Sequence, residues 1–365
     1  SYLTWETIAT WNIGLDMSFL NNRLTFTGDY FIRNTEGMLA DSYELPGVFG
    51  AKTPDENCAD LRTNGWELYL GGNDSFPLMG KRFNYTVSAT LGDNKTVFTK
   101  FNNPEKNLSN HYEGKVWGEI WGYRVDGLFA SDEEAAEYTS KINQDAVNER
   151  ILTDKVDPYY RAGDLKFRDL DGDNVISKGD DTAYDAGDRE IIGNETPRYM
   201  YSFRLGADWN GFDLGIFFQG VGKRDWYPSH LSTGFWGPYS RAFTSFIPAN
   251  FMDQCWSEEN PGGYLPRFRG YQTFASSQLG VANDRYLQDA SYIRLKNLTV
   301  GYTLPVLKKV FTKLRVYFTG ENLWYWSPMK KYTKYIDPEA AGGNGNTGMA
   351  YNYSRNFSVG VDITF

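Results

Sequence analysis

Apolar and polar residues alternate with a period of two in one stretch after another, which is how a strand separates its two faces. The final residues show it most cleanly. Phe357, Val359, Val361, Ile363 and Phe365 fall on one side, and Ser358, Gly360, Asp362 and Thr364 on the other. Phe83, Tyr85, Val87, Ala89 and Leu91 alternate with Asn84, Thr86, Ser88 and Thr90. Trp11, Ile13, Leu15, Met17 and Phe19 alternate with Asn12, Gly14, Asp16 and Ser18. The run from Tyr292 to Leu304 changes phase near Asn297, which predicts a bulge. Read in this way, the chain predicts nine strands, at 6–20, 23–39, 62–71, 82–97, 197–209, 211–222, 284–304, 314–327 and 352–365.

The connections between them alternate in kind. Short ones fall near 21–23, 73–82, 209–211 and 304–313, and long ones at 40–61, 98–196, 223–283 and 328–351. A soluble sandwich has no reason to put every long loop at one end of its strands. An outer-membrane β-barrel does, with short periplasmic turns and long extracellular loops. The expected fold class is therefore all-β, an antiparallel transmembrane β-barrel, with Val361 and its alternating neighbours facing lipid. With this polarity residue 1 lies outside and the C-terminus in the periplasm. A complete bacterial barrel has both ends inside and an even strand number, so residues 1–365 are expected to be the C-terminal portion of a larger barrel.

Composition supports this picture without deciding it. The 365 residues include 11 Trp, 26 Tyr and 24 Phe, yet apolar residues make up only 41%. A barrel wall with aromatic girdles fits, and so does an aromatic-rich glycan-binding protein. A net charge of −9 provides no basic stripe for phosphates and argues against nucleic acid. The sequence leaves open whether the two cysteines, Cys58 and Cys255, pair or stay thiols. No run of apolar residues is long enough for a spanning helix. Only residues 131–144 read as helical, opened by Ser131 and Glu134 in a capping box.

Candidate chemistry is sparse. The run DLDGDNVISKGD, 169–180, puts Asp169, Asp171 and Asp173 at positions 1, 3 and 5 of a calcium loop, the Val175 carbonyl at 7 and Asp180 at 12. A hard cation wants six to eight oxygens, and this spacing wraps a tight turn around one. Asn174 replaces the usual glycine at position 6, and Asp180 replaces the usual glutamate, a role Asp181 or Asp188 could take. A solvated acidic turn is the plainer alternative. Rings in the long loops, among them Trp117, Trp121, Tyr123, Trp226, Trp236 and Tyr239, could present faces to cargo or could pack the loops on themselves. His111 and His230 lack ligand-spaced partners, and no phosphate loop, dinucleotide fingerprint or nucleophile elbow occurs, so the chain does not read as an enzyme.

Several longer stretches resemble the SusC/RagA-type TonB-dependent transporters. They are, in family order, residues 1–39 with the WE pair and N-x-G-x-D strand, NGWELYL, GDLKFRDLDGDNVIS, DREIIGNETPRY, WNGFDLGIFFQG, YLQDASYIRLKNLTVGYTLP, LRVYFTGENLW and IDPE. Thr63 stands where a basic or polar residue varies in that family. The resemblance implies an outer-membrane barrel of 22 strands, of which about nine are here, with a plug and a TonB contact upstream of residue 1. It also implies a SusD-like surface lipoprotein as partner and oligosaccharide or oligopeptide cargo. The long loops 98–196 and 223–283 are then the expected contacts with that lipoprotein. A passive glycan-binding or adhesin barrel on the same scaffold is the alternative.

Overall fold

A computed structural model describes residues 3–41, 55–243, 247, 249–274, 276–305, 312–342 and 350–365. Nine antiparallel strands form one sheet in chain order. They are β1 (Thr7–Phe19), β2 (Leu24–Asp41), β3 (Asp55–Leu78), β4 (Lys81–Lys100), β5 (Arg198–Trp209), β6 (Phe212–Lys223), β7 (Tyr292–Leu304), β8 (Lys313–Trp326) and β9 (Asn356–Thr364). Every strand pairs with its neighbour in sequence, so the sheet is a plain meander.

Turn chemistry accounts for the short ends. Asn210 and Gly211 both take positive φ, 48° and 89°, the backbone of a two-residue hairpin turn whose twist matches the strands it joins. The β1–β2 turn runs through Leu20, Asn21 and Asn22, all left-handed, a conformation that asparagine tolerates better than most residues. The expected connection 73–82 shrinks to Met79 and Gly80. Phe76 faces Phe83 across the ladder with ring centroids 5.1 Å apart, and this aromatic pair carries pairing on to Leu78. Most of the expected connection 304–313 lies outside the described residues. β7 begins at Tyr292 rather than 284, because Tyr286 and Ala290 are buried in the loop core instead. The phase change near Asn297 is a bulge. Lys296 is skipped between Leu295 and Asn297 in the pairing with β6.

Register separates the two faces of the sheet. One apolar row runs Phe19, Leu24, Gly72, Val87, Leu205, Ile216, Leu298, Gly320, Phe357 across all nine strands. The next row toward the long loops runs Met17, Phe26, Leu70, Ala89, Phe203, Phe218, Leu295, Trp324. The opposite face is polar. Thr90 bonds Ser202 at 2.7 Å, and Thr63 bonds Thr96 at 2.8 Å. Arg315 bridges Asp213 at 2.7 Å and Asp362 at 2.9 Å. An apolar face backed by a polar, ion-paired one is the two-sided pattern that the alternation predicts.

The three longest connections do not stand apart. Tyr123, Leu165, Phe167 and Ile176 from the first share one core with Trp226, Trp236, Tyr239 and Leu265 from the second and Met329, Ile336 and Ala341 from the third. Together they form a cap. Arg269 ties the first two through buried Asp164 at 3.1 Å and the carbonyls of Asp157 and Tyr159, both at 2.9 Å. The third is held to the polar face of β7. There Arg294 pairs with Asp337 and, at 3.1 Å, with Glu339, while bulge residue Lys296 reaches Glu339 at 2.8 Å. Both cysteine thiols donate to carbonyls: Cys58 to Ala40 at 3.7 Å and Cys255 to Phe251 at 3.6 Å.

Candidate functional site

The acidic run lies inside the cap's first connection and is anchored from below. Ile176 is fully buried in the shared core, and its amide and the carbonyl of Asn174 bond to the backbone of Asn143 at 2.7 and 2.8 Å. Above that anchor the chain turns tightly, with Gly172 at φ 82° and Asn174 at φ 67°. The departure from glycine at position 6 therefore leaves the required backbone intact. Asp169 accepts the amides of Gly172 and Asn174 at 2.7 and 2.9 Å, Asp171 that of Asp173 at 3.1 Å, and Asp173 that of Val175 at 2.7 Å.

Three carboxylates converge. Oxygens of Asp169, Asp171 and Asp188 lie within 4.8 Å of one another. Asp173 and Asp180 are outside this group. The chain turns again at Gly179, and Asp181 is taken by Arg189 at 2.7 Å, so the loop's end leads away while Asp188 returns. Asp188 is buried, and its two oxygens hold the amides of Leu170 and Ser177, each at 2.7 Å. Burial pushes its carboxyl pKa up, the two amides oppose that, and the charges of Asp171 and Asp169 add to it. Two acids gathered beside a buried third could hold a hard cation. Asp188 was visible only as one of two stand-ins for position 12. Spacing alone does not find it, because a fold brings it back.

The ring residues separate by exposure. Trp226, Trp236 and Tyr239 are closed in the cap core, and Tyr123 nearly so. Packing the connections on themselves is their structural role. Trp117 keeps 44% of its surface and stacks on Phe98 at 5.5 Å. Trp121 is half-buried, donates to Glu119 at 2.9 Å, and lines a 450 Å³ cavity with Tyr123, Lys178 and Arg189. A second recess, of 390 Å³, opens on the polar face of the wall, where Thr90, Ser202, Phe217 and Gln219 meet Arg224 and Tyr292.

Comparison with known proteins follows the same lines. No family model matches the chain. Over its full length it is 27% identical to TonB-dependent receptor P3 and 26% identical to TonB-dependent receptor P26, both of Formosa agariphila, covering 34% and 35% of them. It is 23% identical to the TonB-dependent receptor SusC of Bacteroides thetaiotaomicron, covering 32% of it. The chain is a relative of the SusC-type TonB-dependent receptors. It spans about a third of the length of these relatives. A solved structure of the RagAB peptide transporter superposes on 99% of this chain and 36% of that one, with a TM-score of 0.68 at 22% identity. The sheet and its cap therefore have the fold of a receptor-barrel portion. Like these receptors, the protein is placed in the outer membrane of Gram-negative cells.

Proposed function

We propose that the chain is part of the wall and the outer cap of a TonB-dependent importer for oligosaccharides or oligopeptides. It works with a SusD-like surface lipoprotein. In such a receptor the nine strands are a share of a closed barrel of 22, and a plug and the TonB contact come from the rest of the protein. One observation carries the reading: a two-faced meander whose three longest connections leave at one end and fold into a single cap beside the polar face. A cap of that kind controls what reaches a lumen, and a barrel closed to passive flow needs an energised gate to pass large cargo.

In this reading the acidic loop is a structural calcium site. Asp169, Asp171 and Asp188 supply the gathered carboxylates, and the Val175 carbonyl, Asp173 and Asp180 lie on the same loop. Bound calcium would neutralise the mutual repulsion of the acids and staple the first connection; it has no part in chemistry on the cargo. Import is tested by deleting the gene and following uptake of labelled oligosaccharide and oligopeptide mixtures. Loss of uptake, restored by the intact gene only in cells with a working TonB, is the expected result. Uptake unchanged by deletion, or surface binding of glycan without any TonB-dependent entry, would replace import with a passive binding barrel.

A further inference from the structure

The recess on the polar wall contains a cation without a counter-charge. Arg224 follows directly on β6, is half-buried, and spends its guanidinium on two backbone carbonyls, Glu195 at 3.1 Å and Pro338 at 3.3 Å. Among the described residues it forms no ion pair with a carboxylate. Two arginines of this face have carboxylates, Arg294 with Asp337 and Glu339 and Arg315 with Asp213 and Asp362, while the exposed Arg204 lies over the Phe217 ring at 5.3 Å. Glu339 also lines the recess, but its two oxygens are held by Lys296 at 2.8 and 2.9 Å. Burial acts against the charge on Arg224, and only the more distant Glu195 and Tyr292 favour it.

The remaining lining is neutral and suited to a polar chain. Thr90, Ser202 and Gln219 occupy one row of the polar face, with Phe217 and Tyr292 supplying ring surface beside them. The Thr90 and Ser202 hydroxyls bond each other at 2.7 Å. The recess has room for one or two residues of an oligomer and lies where the cap meets the wall.

We propose that this recess is a cargo subsite for a carboxylate, which Arg224 binds as its missing counter-ion. The inference rests on the reading of the polar face as the cargo path. A carboxylate can come from an acidic sugar or from a peptide C-terminus, and both present the same planar pair of acceptors to a guanidinium fork. The test uses the full-length receptor with its surface partner in detergent, and isothermal titration with two matched pairs. These are trigalacturonate against its methyl ester, and N-acetyl-trialanine against its amide. At least one acid should bind on the order of tenfold more tightly than its neutral mate, and the pair that shows the preference names the source. Arg224→Gln should erase the preference while leaving the neutral mate's affinity unchanged. Three results overturn the proposal: no acid preference in either pair, no detectable binding of either acid, or an equal loss for acid and neutral probes in Arg224→Gln. The last would make Arg224 a staple between connections and nothing more. Intact uptake without acid preference would sink this subsite alone, and acid preference in a protein that imports nothing would sink the import reading alone.

Discussion

At the scale of single residues, His111 shows how the cap meets the wall. Its ring lies 4.3 Å from Phe98 and 5.7 Å from Trp117, nearly parallel to both, and its Nδ1 is buried without a partner. Burial lowers its pKa below the ordinary imidazole value, and the nearby Lys115 charge lowers it further. The unfolded segment therefore takes up a proton first, near pH 6.5. Stability from the stack is complete above that value and falls as the pH drops below it. Protection against hydrogen exchange across residues 98–117, taken relative to the intrinsic rate at each pH, should fall between pH 7.5 and 5.5, and His111→Phe should remove that fall; an equal fall in the variant would clear His111 of the effect. The acidic loop gives a second case. Calcium at a hundred times its dissociation constant should stabilise the protein by about 2.7 kcal/mol, seen as a higher melting temperature. Asp188→Asn should abolish most of that shift, and Asp180→Asn should spare it. The reverse order would mean that linear spacing, not the folded cluster, defines the site. Asp169 and Asp171 were legible because they are two residues apart. Asp188 was not, because its place depends on Ile176 anchoring the loop and the chain returning over it.

At the scale of elements, the strands were legible and their ends were not. Alternation is local, so β1, β4, β5, β6 and β9 fall close to their expected positions. The end of β3 depends on Phe76 finding Phe83 on another strand, and the start of β7 on where Tyr286 is buried, neither of which a period-two pattern contains. The register also bears on depth. Val361 shares its row with Val316, Tyr302, Phe212 and Trp209, the aromatic row near the short turns. The middle of the apolar face is the row of Leu205, Ile216 and Leu298. An arginine at Ile216 should therefore cost about 2–4 kcal/mol in lipid vesicles, and one at Val361 about 0–1 kcal/mol. Denaturant titration of the two variants in the same vesicles measures both. Equal costs would mean that the apolar face does not sit across the bilayer as the rows indicate.

At the scale of the whole molecule, the cap changes what a partner can be asked to do. Its connections already share a core, with Trp226, Trp236 and Tyr239 filling it and Arg269 and Arg294 fastening it to itself and to the wall. Any ordering that a surface lipoprotein adds is therefore expected at the cap's surface rather than in this core. The cap also keeps large apolar groups at its surface: Phe243 is 88% exposed, Tyr184 71% and Met252 61%. Rings and methionine at this exposure are the residues that protein interfaces favour. If a lipoprotein seats on the cap, purification in mild detergent should recover a second surface protein, and hydrogen exchange should slow around these exposed groups. The core around Trp226 and Trp236 should exchange at the same slow rate with and without it. Deleting a whole connection would be uninformative, since it removes core and surface together, so the variants to make are Phe243→Asp and Tyr184→Asp. Each should weaken co-purification while leaving the melting temperature within about 2 °C of the parent, as surface changes do. Undiminished co-purification in both variants, with protection unchanged around Phe243 and Tyr184, would show that the cap closes over the lumen without a partner on these groups.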